Sequence, residues 1–302
     1  MDASGVLNMN RRELFLTGIA ATLRAATNPS SRLSMEAYIF QQYASRQGKK
    51  LRDVLGEVIP MAQTAGFRNI ELNTEFFSPE IRTRTLDLIR SSKLSMPSVY
   101  VGGVLHEEAP AAETIQRAVE IGNICKPFGC IAVVHNPSPK PKSAEKSDGE
   151  LKLQAKLLNQ MGQTLGQNGL SLRVHHHTPE MVNNAREWRY ILHNTDPKHV
   201  QLCMDLDWVH QGGQNPLALL KEAGQRVTEI HVRNSNNKLW LESVEDGDIN
   251  YREIAHYLKT SNILPLVVAE LAYAERTKIT RSLGEDLRRS RLYTEQIFGT
   301  NA

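Results

Sequence analysis

The sequence is poor in cysteine and has no long apolar run, and each shortage excludes a class of protein. Three cysteines in 302 residues, Cys125, Cys130 and Cys203, are too few for a disulfide framework, and a thiolate metal site would need further ligands. We interpret them as small buried apolar residues. No segment beyond the N-terminal region reaches the ~18 apolar residues of a transmembrane helix, so the sequence predicts a soluble body without a membrane span.

The chain also lacks a strong excess of either charge. Lys and Arg number 36 against 33 Asp and Glu, which gives a formal net charge of +3, and no dense basic face is visible. This balance argues against nucleic acid as a partner. A Gly-x-Gly-x-x-Gly motif after the first strand is missing as well, so nothing favours a dinucleotide-binding sheet.

The first 33 residues differ from the remainder. Arg11 and Arg12 precede the apolar stretch "ELFLTGIAATLRAA", a pattern that resembles a degenerate twin-arginine export signal. Arg24 interrupts that stretch and no small-x-small cleavage site follows, so an amphipathic or disordered extension is the alternative. We expect an N-terminal extension over 1–33 and one domain over 34–302, located in the cytoplasm or, if the signal works, in the periplasm.

From residue 34 onward, short apolar runs alternate with helical patterns. The predicted strands cover residues 35–43, 69–73, 95–103, 130–136, 170–177, 200–206, 227–234 and 264–271. Pro60 is expected to kink or break the helix after the first strand. Eight strand–helix units, with strands too continuously apolar for a half-solvated sheet, predict an α/β fold, a single (β/α)8 TIM barrel. An open doubly wound sheet is the alternative.

Polar side chains interrupt the apolar runs near the carboxyl ends of the strands, where such barrels carry their active sites. They are Glu71, His135, His175, His176, His177, Asp205, Asp207, His231 and Glu270. Two imidazoles and two carboxylates from neighbouring strands suit a divalent transition metal with positions open for substrate. Mixed nitrogen and oxygen ligation favours Mn, Co, Zn or Fe over Mg or Ca.

Three histidines stand side by side at the end of the predicted fifth strand. Because successive side chains of a strand point to opposite faces, His175 and His177 share a face and His176 points away. At most two of the three can therefore face the barrel interior together. We expect His176 to pack or hydrogen-bond behind the barrel wall.

Several segments carry a family resemblance in a consistent order. They are "GFRNIEL" (66–72), "VHHH" (174–177), "MDLDWVHQGGQNPLALL" (204–220), "EIHVRNS" (229–235), "WLESVEDGDINYREI" (240–254) and "LVVAEL" (266–271). Over roughly residues 35–298 the chain resembles the xylose isomerase-like barrel superfamily, specifically its sugar phosphate isomerase/epimerase proteins. In that family one metal ligand ends each of the last four strands. The resemblance therefore implies a metal site formed by His175, Asp205, His231 and Glu270.

The resemblance also implies roles around that site. His177 would face the substrate as an acid/base group, with Glu270 as the other candidate base. Arg233 would sit beside the metal, and Glu71 and His135 would hold ring hydroxyls on the opposite wall. Trp208, on the loop after the sixth strand, would stack on the sugar or only pack the loop.

The leading interpretation is a metal-dependent sugar isomerase or epimerase that transfers a proton alpha to a carbonyl through an enediolate. The alternative is a lyase that dehydrates, or eliminates from, a keto-sugar or keto-glycoside. It is kept because His175 stands where many isomerases of the superfamily carry Glu. A non-catalytic sugar-binding barrel and an abasic-site endonuclease are further alternatives. In each enzyme interpretation except the nuclease, the expected partner is a small carbohydrate substrate. The sequence is also compatible with a homo-oligomer.

Overall fold

The computed structural model describes residues 32–300, and its main sheet is a closed barrel of eight parallel strands. Two further short strands, β8 (Ser235–Asn236) and β9 (Leu239–Trp240), form an antiparallel hairpin. The strands are β1 (Leu33–Glu36), β2 (Ile70–Asn73), β3 (Ser98–Tyr100), β4 (Ala132–His135), β5 (Ser171–Val174), β6 (Val200–Asp205), β7 (Val227–Val232), β8 (Ser235–Asn236), β9 (Leu239–Trp240) and β10 (Leu266–Ala269).

Each barrel strand pairs with its neighbours in the chain, and β1 closes the ring by pairing with both β2 and β10. Most strand residues are buried, as the continuously apolar runs of the sequence require for a sheet covered on both faces. The predicted (β/α)8 TIM barrel is therefore confirmed. The alternative of an open doubly wound sheet is wrong, because the first and last barrel strands are hydrogen-bonded to each other.

Helices follow the strands and form the outer layer. They are α1 (Tyr38–Arg46), α2 (Leu51–Thr64), α3 (Arg82–Ser91), α4 (Glu108–Cys125), α5 (Asp148–Gln167), α6 (Thr178–Asn194), α7 (Leu206–Gln211), α8 (Pro216–Ala223), α9 (Tyr251–Thr260) and α10 (Leu283–Phe298). Local sequence fixes several of their starts: Ser147, for example, accepts the backbone N–H of Glu150 in a capping box that begins α5. All three cysteines are free and buried within this core.

One local prediction is wrong, and a second is wrong only in one of its two alternatives, the helix break at Pro60. The first predicted strand, 35–43, ends after Glu36, and the next residues form α1. Ile39, Phe40 and Ala44 are buried on one face of that helix, a helical spacing that a short apolar run conceals. Pro60 does not break α2, which continues to Thr64; the missing proline N–H removes one hydrogen bond without ending the helix.

The predicted extension over 1–33 lies almost entirely outside the described residues, which begin at residue 32. Its last residue, Leu33, already belongs to β1. The prediction of a twin-arginine export signal at Arg11 and Arg12 falls there too. Within residues 32–300, no helix is both long and apolar enough to cross a membrane.

Two glycines of α5 face different surroundings, although both lie inside the same helix. A Cβ added at Gly162 would lie 2.1 Å from the backbone oxygen of His199, so the helix approaches the start of β6 at a distance that only glycine allows. A Cβ at Gly166 would meet nothing within 4 Å. Gly162 is therefore required for the close packing of α5 against the start of β6, whereas no neighbouring atom requires glycine at position 166.

We predict opposite effects of alanine at these two positions. Gly162→Ala should destabilise the protein by about 1–3 kcal/mol, because the overpacked methyl group forces the helix away from the barrel. Gly166→Ala should stabilise it by about 0.5–1 kcal/mol, because alanine loses less backbone entropy in a helix. Urea unfolding followed by circular dichroism measures both. Equal effects of the two substitutions would contradict the close helix–strand approach.

Candidate metal centre

Four side chains from the ends of adjacent strands converge at the carboxyl end of the barrel. His175 follows β5, Asp205 ends β6, His231 lies in β7 and Glu270 follows β10. Because β5, β6, β7 and β10 are neighbours in the ring, their carboxyl ends meet, and one ligand atom from each side chain lies within 4.8 Å of the others. All four residues are buried.

The two imidazoles present one ring nitrogen each to this cluster and turn the other toward an acceptor. His175 Nε2 lies 3.8 Å from Oδ2 of Asp205, while its Nδ1 lies 3.2 Å from Oδ1 of Asn136. His231 Nδ1 lies 2.8 Å from Oε2 of Glu270, while its Nε2 lies 3.2 Å from Oε1 of Glu71. An outer partner at the second nitrogen orients metal-binding histidines, and Asn136 is hydrogen-bonded to His175 in this way. The contact of His231 with Glu71 is at ion-pair distance and is not a hydrogen bond.

The donor set fits a divalent cation. Among the described residues, Nε2 of His175 is buried and has no hydrogen-bond partner. A buried nitrogen without a partner is costly unless a ligand satisfies it. Two nitrogens and two carboxylates match a transition metal with open coordination positions better than a calcium site.

Burial and neighbouring charges set the protonation of these groups. Burial lowers the pKa of His175 well below its ordinary value, so this imidazole is neutral and its lone pair is available. Burial alone would lower the pKa of His231 and raise that of Glu270, but nearby opposite charges reverse both shifts. The pKa of His231 rises, partly because of Glu71, and that of Glu270 falls to about 2, mainly because of Arg233.

The guanidinium of Arg233 joins the two carboxylates of the cluster. It donates from NH1 to Oε1 of Glu270 at 2.8 Å and from NH2 to Oδ2 of Asp205 at 3.0 Å. Its Cζ lies 4.5 Å from the ring centroids of both Trp208 and Trp240, two indoles that pack edge-to-face against each other with centroids 5.3 Å apart, so Arg233 makes a cation–π contact with each. Arg233 is therefore a fixed cation that neutralises and orients the carboxylates.

Asp207 contacts both Arg233 and Trp240, the indole beside that arginine. Its Oδ2 lies 3.4 Å from Nε of Arg233 and accepts the indole N–H of Trp240 at 2.7 Å. Its Oδ1 accepts the hydroxyl of Ser235 at 2.9 Å. A buried carboxylate at the start of α7 thus ties together the hairpin of β8 and β9 and the cation beside the metal centre.

The three adjacent histidines occupy different environments, although β5 ends before them at Val174. The ring of His177 lies 4.9 Å from that of His175 and 5.2 Å from the indole of Trp208, measured between centroids, and it lines the cavity. Burial lowers the pKa of His177 to about 4. His176 is directed elsewhere, with Nε2 3.1 Å from the backbone oxygen of Asp205.

A cavity of about 470 Å³ lies above the four converging side chains, within the usual size range of small-molecule sites. Three of those four side chains line it: His175, His231 and Glu270. Arg233 and Trp208, two of the residues predicted to bind substrate, line it as well. The remaining lining residues are Glu36, Tyr38, Gln41, Asn73, Thr74, Glu75, Tyr100, Gly102, His177 and Trp240. Asp205 lies below this wall.

The structure does not bring Glu71 and His135 to the cavity, where ring hydroxyls were expected to meet them. Glu71 is fully buried inside the barrel, accepts the hydroxyl of Ser98 and faces His231 from below. His135 is fully buried as well, with Nδ1 2.6 Å from the backbone oxygen of Val101. Glu71 faces the barrel interior, whereas His135 lies on the outer face of β4. Ala132 and Val134 of that strand pair with Ser98 and Arg173, whose side chains contact Glu229 inside the barrel, so the next residue points away from the interior.

Several cavity residues were missed in the sequence, among them Glu36 and Tyr100 at the ends of β1 and β3. Glu36 ends β1 and accepts the backbone N–H of Tyr38 at 2.5 Å; it is a strand-end carboxylate like the others, concealed because the predicted strand continued past it. Tyr100 ends β3 and its ring lies edge-on to His175, with centroids 5.2 Å apart. A rule that every barrel strand end is a candidate position would have found both.

Among proteins of known function, the chain is similar to inosose dehydratases. It is 27% identical to that of Salmonella agona over 130 residues, which are 37% of this chain and 43% of that enzyme. It is 21% identical to that of Bacillus licheniformis over 210 residues, which are 67% of this chain and 68% of that enzyme. The first alignment thus spans less than half of the relative.

Several solved structures share the fold. A sugar phosphate isomerase/epimerase from Parabacteroides distasonis has a TM-score of 0.68 at 14% identity, over 90% of this chain and 96% of that chain. An L-ribulose 3-epimerase has a TM-score of 0.66 at 12% identity, over 88% and 94%. A xylose isomerase-like protein from Mycobacterium smegmatis, in complex with magnesium, has a TM-score of 0.67 at 14% identity, over 88% and 96%. At these identities the likeness establishes the fold alone.

A family model described as a xylose isomerase-like TIM barrel matches residues 59–292. That span begins inside α2 and ends inside α10, so it contains most of the barrel and all four side chains of the candidate metal centre. The match covers well over half of the sequence. The chain therefore belongs to the xylose isomerase-like TIM barrel family.

Proposed function

We propose that the protein is a divalent-metal-dependent enzyme that isomerises or epimerises a carbohydrate carrying a carbonyl group. The observation that carries the proposal is the convergence of His175, Asp205, His231 and Glu270 beneath a cavity lined by a neutral imidazole. A bound Mn, Co, Zn or Fe ion would polarise the carbonyl and stabilise the enediolate formed by loss of the adjacent proton. Family membership supports a reaction of this class.

His177 suits the proton transfer better than Glu270. Its ring lines the cavity and is neutral near pH 7, since its pKa is about 4. Both oxygens of Glu270 are already engaged, Oε1 by Arg233 and Oε2 by His231, as expected for a metal ligand. We therefore assign Glu270 the role of metal ligand and His177 the role of proton-transferring base, with Glu270 as the second candidate for the base.

Two neighbours prepare this site for a carbonyl substrate. Arg233 keeps Asp205 and Glu270 in fixed orientations, which lowers the cost of gathering two carboxylates at one ion. Trp208 borders the cavity next to His177 and offers an apolar face to a sugar ring.

A lyase is the second candidate, and the inosose dehydratase relatives favour it. Its first step is the same proton abstraction, after which a hydroxyl on the next carbon departs as water. The departing oxygen needs a proton donor. Glu36 suits that role because burial raises its pKa well above the ordinary value, so that this cavity carboxyl retains its proton.

The metal centre is tested by elemental analysis of the purified protein. We expect one equivalent of a divalent transition metal per chain, and at least about 10–100-fold weaker binding in His175→Ala, because loss of a ligand costs no less than loss of its outer partner. Glu270→Gln should weaken binding as well. His193→Ala, at an exposed histidine of α6, is the matched control and should retain full metal content. Metal-free wild-type protein would refute the centre.

The role of His177 is tested by His177→Asn, which preserves the polarity but removes the base. We expect kcat to fall about 10²–10⁴-fold with the metal retained, because His177 is not a ligand. In the wild type, kcat should fall as pH drops through about 4, since the imidazole must be neutral to accept a proton. A variant with unchanged kcat, or with lost metal, would exclude this assignment.

The reaction itself is identified by mass spectrometry of products formed from a panel of keto-sugars and keto-cyclitols in deuterated water. An isomerase or epimerase gives a product whose mass differs from that of the substrate only by solvent deuterium at the alpha carbon. A product lighter by one water establishes the lyase instead. If no member of the panel exchanges its alpha proton, both enzyme candidates are wrong and a binding role is left.

A further inference from the structure

A second cavity adjoins the one above the metal centre and shares part of its wall. Its volume is about 610 Å³. The residues common to the two cavities are Tyr38, Gln41 and Glu75. The outer cavity is completed by Gln42, Ser45, Arg46 and Glu275. A ligand seated over the metal centre could therefore extend past Tyr38 without leaving the protein surface.

The two sides of this outer cavity are α1 and the loop after β10, and they are fastened together. Gln42 accepts the backbone N–H of Tyr273 at 2.7 Å and donates to its carbonyl at 3.1 Å. Arg46 donates to the carbonyl of Ala274 at 3.2 Å and lies over the ring of Tyr273. These contacts preform the cavity, so a ligand would not have to order its walls.

The chemistry of the outer cavity suits a neutral polyhydroxylated group. Its wall offers amide, hydroxyl and guanidinium groups for hydrogen bonds, and the 40% exposed ring of Tyr38 at the junction offers an aromatic face. Its carboxylates, Glu75 and Glu275, outnumber its cation, Arg46. A phosphate group would meet more negative than positive charge there, whereas sugar hydroxyls pair with either.

The charges of the inner cavity point the same way. Glu75 and Glu270 are its ionised carboxylates, since Glu36 retains its proton, and Arg233 is occupied by Glu270 and Asp205. Within residues 32–300, no lysine or second arginine lines this wall to receive a phosphate. A phosphate group on the reacting unit would therefore find no free ammonium or guanidinium group on this wall.

We propose that the outer cavity is a second subsite and that the substrate is an uncharged glycoside, with its reacting sugar over the metal centre and its second sugar unit between α1 and the loop after β10. The proposal rests on the proposed function for the identity of the reacting unit. It adds a binding site for the second unit and excludes sugar phosphates as the preferred substrates.

The subsite is tested by blocking it without touching the inner cavity. Ser45 is exposed on α1 and lines only the outer cavity, so Ser45→Trp should fill it. Ser91→Trp, at an exposed serine of α3, is the matched control. Isothermal titration of the metal-loaded proteins compares D-glucose, as a one-unit probe, with maltose, cellobiose and trehalose, as two-unit probes.

We expect at least one disaccharide to bind the wild type about tenfold more tightly than D-glucose, and Ser45→Trp to remove that advantage while glucose binding stays within about twofold. Ser91→Trp should leave both affinities unchanged. The subsite is refuted if no disaccharide exceeds glucose, or if Ser45→Trp affects both probes alike. Turnover of keto-monosaccharides without a disaccharide advantage would refute the subsite alone; a disaccharide advantage without turnover of any keto-sugar would refute the proposed function alone.

Discussion

The gathering of several buried charges at one end of the barrel is the constraint on which the site depends. Each charge would be costly to bury alone, and each is acceptable because an opposite charge lies beside it. Arg233 supplies the central cation, in contact with the rings of Trp208 and Trp240 and shared by Asp205 and Glu270. Removing any one of these groups would leave the others unbalanced, so the site is a single electrostatic unit.

The sequence predicts the barrel and the convergence of the site because both arise from periodicity. Polar residues that interrupt apolar strands near their carboxyl ends must meet in a closed parallel barrel, and for this reason His175 and His231 can be grouped from the sequence alone. The depth of a residue along its strand and the face on which it lies cannot be predicted from the apolar runs alone. Glu71 satisfies the same pattern but lies deep in the barrel interior, and His135 lies on the outer face of β4. Glu36 was hidden because helix α1 was assigned as a strand.

The same constellation is compatible with two reactions because their first step is identical. Isomerases, epimerases and dehydratases all remove a proton beside a carbonyl, and the later steps depend on which group can protonate which atom. Here the neutral His177 and the protonated Glu36 both line the cavity. In the proposed enzyme, the position of the substrate between these two side chains would decide the outcome, and that position depends on the shape of the cavity and not on the candidate metal centre.

The barrel closes only when β10 pairs with β1, and this order of pairing affects how the chain folds during synthesis. The strand that precedes Glu270 is the last barrel strand to leave the ribosome, and it pairs with the first. A nascent chain that lacks β10 holds at most three of the four converging ligand groups and an open sheet with unpaired edges. If the candidate centre binds a metal ion, its full ligand set therefore becomes available only after synthesis has passed this strand, and bound metal would mark the chains whose barrel has closed.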